Sequence, residues 1–241
     1  MSEPLARVER PPAESFSGLR KLLVVFLVYS HESAPAEYRE RCERYWRQVG
    51  EQLVNIEAKI GTARHVYHES VYQSGEEGLS FIKNLNPFSH QLAGARCAAD
   101  AALEAVEEQD LAAELRDWER FMMLGFSSRK VAELVSDLYS QALKKRNEHA
   151  VGVIDCTLGH DEVGLLFVRE GHGLQFPQDV EVFSVVPPAL DELHRWLRDE
   201  ARKPTGGDDG TGGSVEGSVE GSVEGSVEDS VEEDASAPEV A

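Results

Sequence analysis

The longest unbroken apolar run in the chain is Leu22–Val28, inside KLLVVFLVYSHES (residues 21–33). It lacks the in/out alternation of a half-exposed strand. It therefore predicts a strand over about Leu22–Tyr29, covered on both faces. Apolar positions then switch to three- and four-residue spacing at Tyr38, Cys42, Tyr45, Trp46, Val49, Leu53 and Ile56. That spacing predicts a helix over about Pro35–Ile60. Pro35 falls in its first turn, Ser33 is placed to cap it, and Gly61 ends it. Alternation returns over about Ala63–Tyr72, a second strand with His65, Tyr67 and Glu69 on one face and His68 and Ser70 on the other.

A short helix is expected over Gly75–Asn84, broken at Asn86-Pro87. Ser89–Gly125 reads as two helices jointed near Glu107–Asp110. A long helix follows, capped by Ser127 or Ser128 and running to Gly159, with an irregularity expected at Gly152. The third and fourth strands are expected at Val163–Val168 and Val180–Val186. Pro187-Pro188 opens a last helix with apolar Leu190, Leu193, Trp196 and Leu197.

This order predicts an α/β fold: a small, mainly parallel sheet of about four strands flanked by many helices, joined by right-handed crossovers. The helices of about 75–158 form an insertion larger than a plain crossover, suited to a lid over one edge. The link between the third and fourth strands contains no helix, so an antiparallel hairpin is at least as good an expectation there.

The termini read differently. Residues 1–18 are rich in Pro, Glu and Ser and read as a loose leader; residues 19–203 read as a single domain. From Pro204 the text becomes a Gly-Ser-Val-Glu repeat with no aromatic residue, Leu, Ile, Lys or Arg. Such a segment cannot bury enough apolar surface to offset the entropy of ordering, so a disordered acidic tail is expected over 204–241.

Charge narrows the partners. Of the formal charge of −20, −11 falls on residues 204–241 and −9 on the rest. Neither part has the basic footprint of a nucleic-acid binder. The tail reads as a solubility aid or as an acidic segment that contacts a basic partner. Leu22–Val28 is too short to span a bilayer, and the polar N-terminus has no apolar signal core. Cys42, Cys97 and Cys156 are widely spaced, each in an expected helix among apolar neighbours. They read as reduced core residues, which places the chain in the cytoplasm.

The candidate chemistry lies at strand ends. Ligands of open parallel sheets bind in the crevice beyond the carboxyl ends of the strands. His31-Glu32 follow the first strand, His68-Glu69 end the second, and His172 follows the third. If the strands run parallel, these tips converge. His31, Glu69 and His172 then form a set suited to a divalent metal holding a water, the pattern of a metal-dependent hydrolase. Without a metal, His31 and Glu69 form a general acid/base pair. Arg146, in Arg146-Asn147-Glu148-His149 late in the long helix, is expected to anchor an anionic group of a small-molecule or peptide substrate, or to hold Glu69 in place. Gly-x-Ser-x-Gly, phosphate-loop, Gly-x-Gly-x-x-Gly and His-Glu-x-x-His signatures are absent, against serine-hydrolase and nucleotide chemistry.

The residues His31 in VYSHES, Glu69 in VYHES, Arg146-Asn147 in KKRNEHA and Gly171-His172 in LLFVREGH resemble the pattern of the TraB/Tiki family. In that family a histidine follows the first strand, a glutamate lies on the second, a long helix carries Arg-Asn, and a late strand ends in a histidine turn. The family's Gly-x-x-His turns are not reproduced here. The resemblance spans residues 22–186 and implies metal-dependent peptidase chemistry or a member without chemistry. The competing expectations are thus a metal-dependent hydrolase, a non-catalytic interaction or regulatory domain whose helical block presents a partner surface, and a small-molecule binding module.

Overall fold

A computed structural model describes residues 18–203. The expected repeat tail and residues 1–17 of the expected leader lie outside the described residues. The described residues form five strands: β1 (Arg20–Phe26), β2 (Ala63–His68), β3 (Ala102–Glu104), β4 (Val163–Val168) and β5 (Val180–Val185). The helices are α1 (Ala36–Ile60), α2 (Gly75–Leu85), α3 (Pro87–Cys97), α4 (Gln109–Met123), α5 (Arg129–Thr157) and α6 (Pro188–Arg202). The sheet order is β3-β2-β4-β1-β5, and every neighbouring pair runs parallel.

The apolar run in β1 is explained by two cores, one on each face of the sheet. Leu23, Val25, Val66, Leu165 and Phe167 pack with Cys42, Tyr45, Trp46, Val49 and Leu53 of α1, Ala93 of α3, and Leu190 and Leu193 of α6. The intervening residues Leu22, Val24, Tyr67, Leu166 and Val168 pack with Ala150 and Ile154 of α5 and with Leu158. A parallel strand sandwiched between helices must be apolar on both faces, so alternation is lost. Gly164 on β4 belongs to this close packing. A methyl group there would sit 3.0 Å from side-chain carbons of both Leu22 and Tyr67.

Several local expectations are corrected. β5 is not a hairpin partner of β4: it pairs parallel with β1, so the 169–179 connection crosses over β1's position in the sheet. β3 was not foreseen. Its three residues are too few to show a period, and they pair with His65–Tyr67 at the sheet edge within the stretch read as all helical. α1 begins after Pro35 with no side-chain cap, so Ser33 is not its cap. Gly61 does end it, at φ 104, where a side chain would be strained. Ser128 caps α5 through Val131 N–H at 3.5 Å. α5 runs unbroken through Gly152, because helix packing on the sheet outweighs the propensity cost of one glycine.

The cysteines divide by burial. Cys42 is buried, Cys97 half-buried and Cys156 exposed, and all three are free thiols. Cys156 is thus no core residue. Burial pushes the Cys42 and Cys97 thiols above their usual range. A thiol reagent followed by mass spectrometry should label Cys156 first and Cys42 only after denaturation. Equal rates for Cys42 and Cys156 in the native protein would contradict this packing.

Candidate functional site

The chain leaves β2 at His68, and Glu69 N–H still bonds to Phe167 C=O at 2.8 Å. Ser70 then adopts a left-handed conformation, φ 72, which turns the backbone away from the sheet. Glu69 is left at the strand end on the α5 side, 8% exposed. A buried carboxylate needs partners, and Glu69 has three. Its Oε1 accepts from Arg146 Nη2 at 2.9 Å and forms an ion pair with Arg169 Nε at 3.1 Å; its Oε2 accepts from the Arg169 backbone N–H at 2.5 Å.

Arg146 reaches this point from α5, and its guanidinium is shared with a second carboxylate. Its Nε donates to Glu107 Oε2 at 2.9 Å, and its Nη2 donates to Glu107 Oε1. Glu107 is 6% exposed and follows β3. Burial works against the Arg146 charge, but the hydrogen bonds and charges of Glu107 and Glu69 outweigh it and hold its pKa above the ordinary value. Arg169 extends the network outward to Glu119 of α4 at 3.6 Å. Two arginines thus face two buried carboxylates, ending in a third, half-exposed one. The ends of β2, β3 and β4 and helices α4 and α5 meet there.

His172 borders the same recess with Glu69, Glu107, Arg146, Val168 and Leu174. Its ring Nδ1 accepts from Leu174 N–H at 3.0 Å, and its carbonyl accepts from Asn147 Nδ2 at 3.2 Å. An accepting Nδ1 carries no proton, and burial also pushes the His172 pKa below its usual value, against the pull of Glu69. The recess has room for roughly one water molecule.

His31 does not join this group. Beyond β1 the chain is drawn to the opposite face: Val28 C=O accepts from Trp46 Nε1 of α1 and from Asn86 Nδ2, both at 3.0 Å, and Tyr29 C=O accepts from the Tyr38 hydroxyl at 2.9 Å. His31 ends up exposed, with its carbonyl accepting from Ala34 N–H. The expected metal set His31, Glu69 and His172 is therefore not assembled. Among the described residues no group of three or more His, Cys, Asp or Glu could hold a metal ion. This overturns the divalent-metal cofactor and the metal-dependent hydrolase expected from the strand tips. The lone carboxylate of the set is already saturated by arginine donors.

His68 also departs from a surface or site role. It is fully buried on the α1 face, beside Phe167. Its Nδ1–H donates to Glu69 C=O at 2.6 Å, and the Ser89 hydroxyl lies 3.0 Å from Nε2. Burial pushes its pKa down to about 4. It is a neutral core histidine that fixes the backbone on which Glu69 stands.

Arg146, expected to anchor a substrate anion or to hold Glu69, bonds both Glu69 and Glu107. Glu107, Arg169 and Glu119 were missed. Arg169 directly follows an apolar strand and was open to the same strand-end rule that singled out His31. Glu107 was legible only through β3.

No family model matches the chain, and no curated protein and no solved structure matches it. The resemblance to the TraB/Tiki family rests on the residues already quoted, and the metal chemistry it implied has no site among them.

Proposed function

We propose that this chain is a non-catalytic interaction module that offers the α4–α5 hairpin to a macromolecular partner. The observation that carries this reading is the apolar surface of that hairpin. Phe121, Met122, Met123 and Leu124 at the end of α4 are 48, 41, 78 and 76% exposed. Val131 and Leu134 at the start of α5 add 44 and 57%. Single exposed apolar residues are ordinary, but six within residues 121–134, at two successive helix ends, are a local concentration of the kind that marks interaction sites. Methionine and phenylalanine suit such a surface because they adapt their shape and carry much contact area.

The charge network serves this reading as a mount. Glu107 lies at the entry to α4, Glu119 on α4 and Arg146 on α5, and all three are tied to the ends of β2 and β4. No helix among the described residues is long and apolar enough to cross a membrane, and the three free cysteines agree with a reducing cytoplasmic setting. The test is a photo-crosslinking amino acid at Met123 of the full chain, with the exposed polar position Glu108 as control. The module reading expects one discrete crosslinked species from position 123, abolished by V131E/L134E. No species at 123, or the same species from 108, would overturn it.

A further inference from the structure

The hairpin carries a pattern that selects its partner. On α5, Val131, Leu134 and Leu138 follow three- and four-residue spacing and form one stripe beside the inward-facing Val135 and Ala142. In heptad terms they occupy successive a, d and a positions. Lys130 and Asp137 are then the flanking g positions of two successive heptads. Both are exposed, and neither makes an ion pair among the described residues, whereas nearby Arg129 is paired with Glu133 at 2.8 Å and Arg120 with Asp117 at 3.5 Å.

Lys130 and Asp137 lie four residues before and three residues after Leu134. If two α5 helices cross antiparallel with a two-fold axis near Leu134, each Lys130 faces the other copy's Asp137. Val131 meets Leu138 twice, and Leu134 meets its own counterpart. One sequence therefore supplies both halves of the contact, as an isologous interface requires. The background charge favours the same choice. From Arg116 to Asp137 the hairpin has four basic and four acidic residues, while the whole chain carries −20. The neutral hairpin is where two acidic copies approach with least repulsion.

We propose that the occupant of this surface is a second copy of the chain, packed α5 against α5 in antiparallel fashion, with the exposed ends of α4 closing a four-helix contact. This rests on the interaction-module reading and names its partner.

Sedimentation equilibrium on the full chain tests it. The wild type should be a dimer, and V131E/L134E a monomer that still unfolds in one cooperative transition, since both positions are exposed, with a melting temperature that no longer depends on protein concentration. K130E replaces two attractions per dimer by repulsions and should weaken association by on the order of tenfold. K130E/D137K restores the pairing with its signs exchanged and should recover most of that loss. L134C, in a C156S background that removes the exposed native thiol, should form a disulfide-linked dimer on mild oxidation. A monomeric wild type overturns the proposal, and so does a dimer indifferent to both charge variants and to V131E/L134E. The crosslinking at Met123 separates the two readings: a species of twice the chain mass supports the second copy. A species containing a different macromolecule overturns the second copy and leaves the module reading standing. No species removes both.

Discussion

Replacing Arg146 by methionine should lower the stability of the protein by about 3–5 kcal/mol at neutral pH, because it removes the buried cation that two carboxylates share and leaves Glu107 with no ion pair. Arg169 still reaches Glu69, but only from the exposed side, and Glu107 keeps just the Ser70 N–H at 3.4 Å. Methionine matches the length and volume of the arginine stem, so little of the loss should come from packing.

The deficit should depend on pH in a defined direction. An unpaired buried carboxylate has a folded pKa raised above its unfolded value. The folded variant then binds protons more readily than the unfolded chain, so its stability falls as pH rises through that interval. The gap between wild type and R146M should accordingly narrow in acid and reach its full size near neutrality. Converting the carboxylates as well, in R146M/E69Q/E107M, should recover much of the loss. The glutamine retains an acceptor for the Arg169 N–H, and the buried charges are gone. Urea unfolding of the three proteins at several pH values checks this. An R146M deficit below about 1 kcal/mol, or a triple variant no better than the single one, would show that the network does not hold the hairpin to the sheet.

Acid should destabilise the wild type through His68. Its folded pKa of about 4 lies below the ordinary value of 6.5. Between those values the unfolded chain binds a proton that the folded chain refuses, so stability is full above about 6.5 and declines as pH falls toward 4. At 1.36 kcal/mol per unit the loss amounts to roughly 3 kcal/mol. Other carboxylates add their own acid sensitivity, so the informative quantity is the difference from H68N. Asparagine keeps a donor where His68 Nδ1–H meets the Glu69 carbonyl and does not titrate. The wild type should lose roughly 3 kcal/mol more than H68N between pH 7 and pH 4. Parallel stability curves for the two proteins would contradict a neutral, buried His68.

Much of this fold was legible in the chain, and the reasons are local. The apolar runs of β1 and β4 have no alternation because helices cover both faces, and that signal is intrinsic to the residues. α1 and α6 were visible because their apolar positions repeat at helical spacing. β3 was not, since three residues at a sheet edge carry no period and exist as a strand only because β2 is beside them. The parallel placement of β5 beside β1 was likewise invisible: the 169–179 link is compatible with a hairpin, and only the pairing of the strands decides otherwise.

The site divides along the same line. Residue type alone marked Glu69 and Arg146, because a carboxylate on a β-rich run and an arginine late in an apolar helix each require a partner if buried. Which partners they found was decided in three dimensions. His31 and Glu69 both follow strand ends of one parallel sheet, yet hydrogen bonds from Trp46, Asn86 and Tyr38 draw the first loop to the α1 face, while Ser70 turns the second beneath α5. The sequence by itself determined which apolar runs become β1, β2, β4 and β5 and which charged groups stand near their ends, though β1 stops at Phe26 and β2 at His68, short of the expected Tyr29 and Tyr72. Tertiary packing decided on which side of the sheet each group emerges, and so made an arginine lock with Glu107 of what the strand tips alone read as a metal site. The physical reason is that a strand's period specifies its faces, whereas the direction of the loop beyond it is set by the donors and acceptors of the helices it meets.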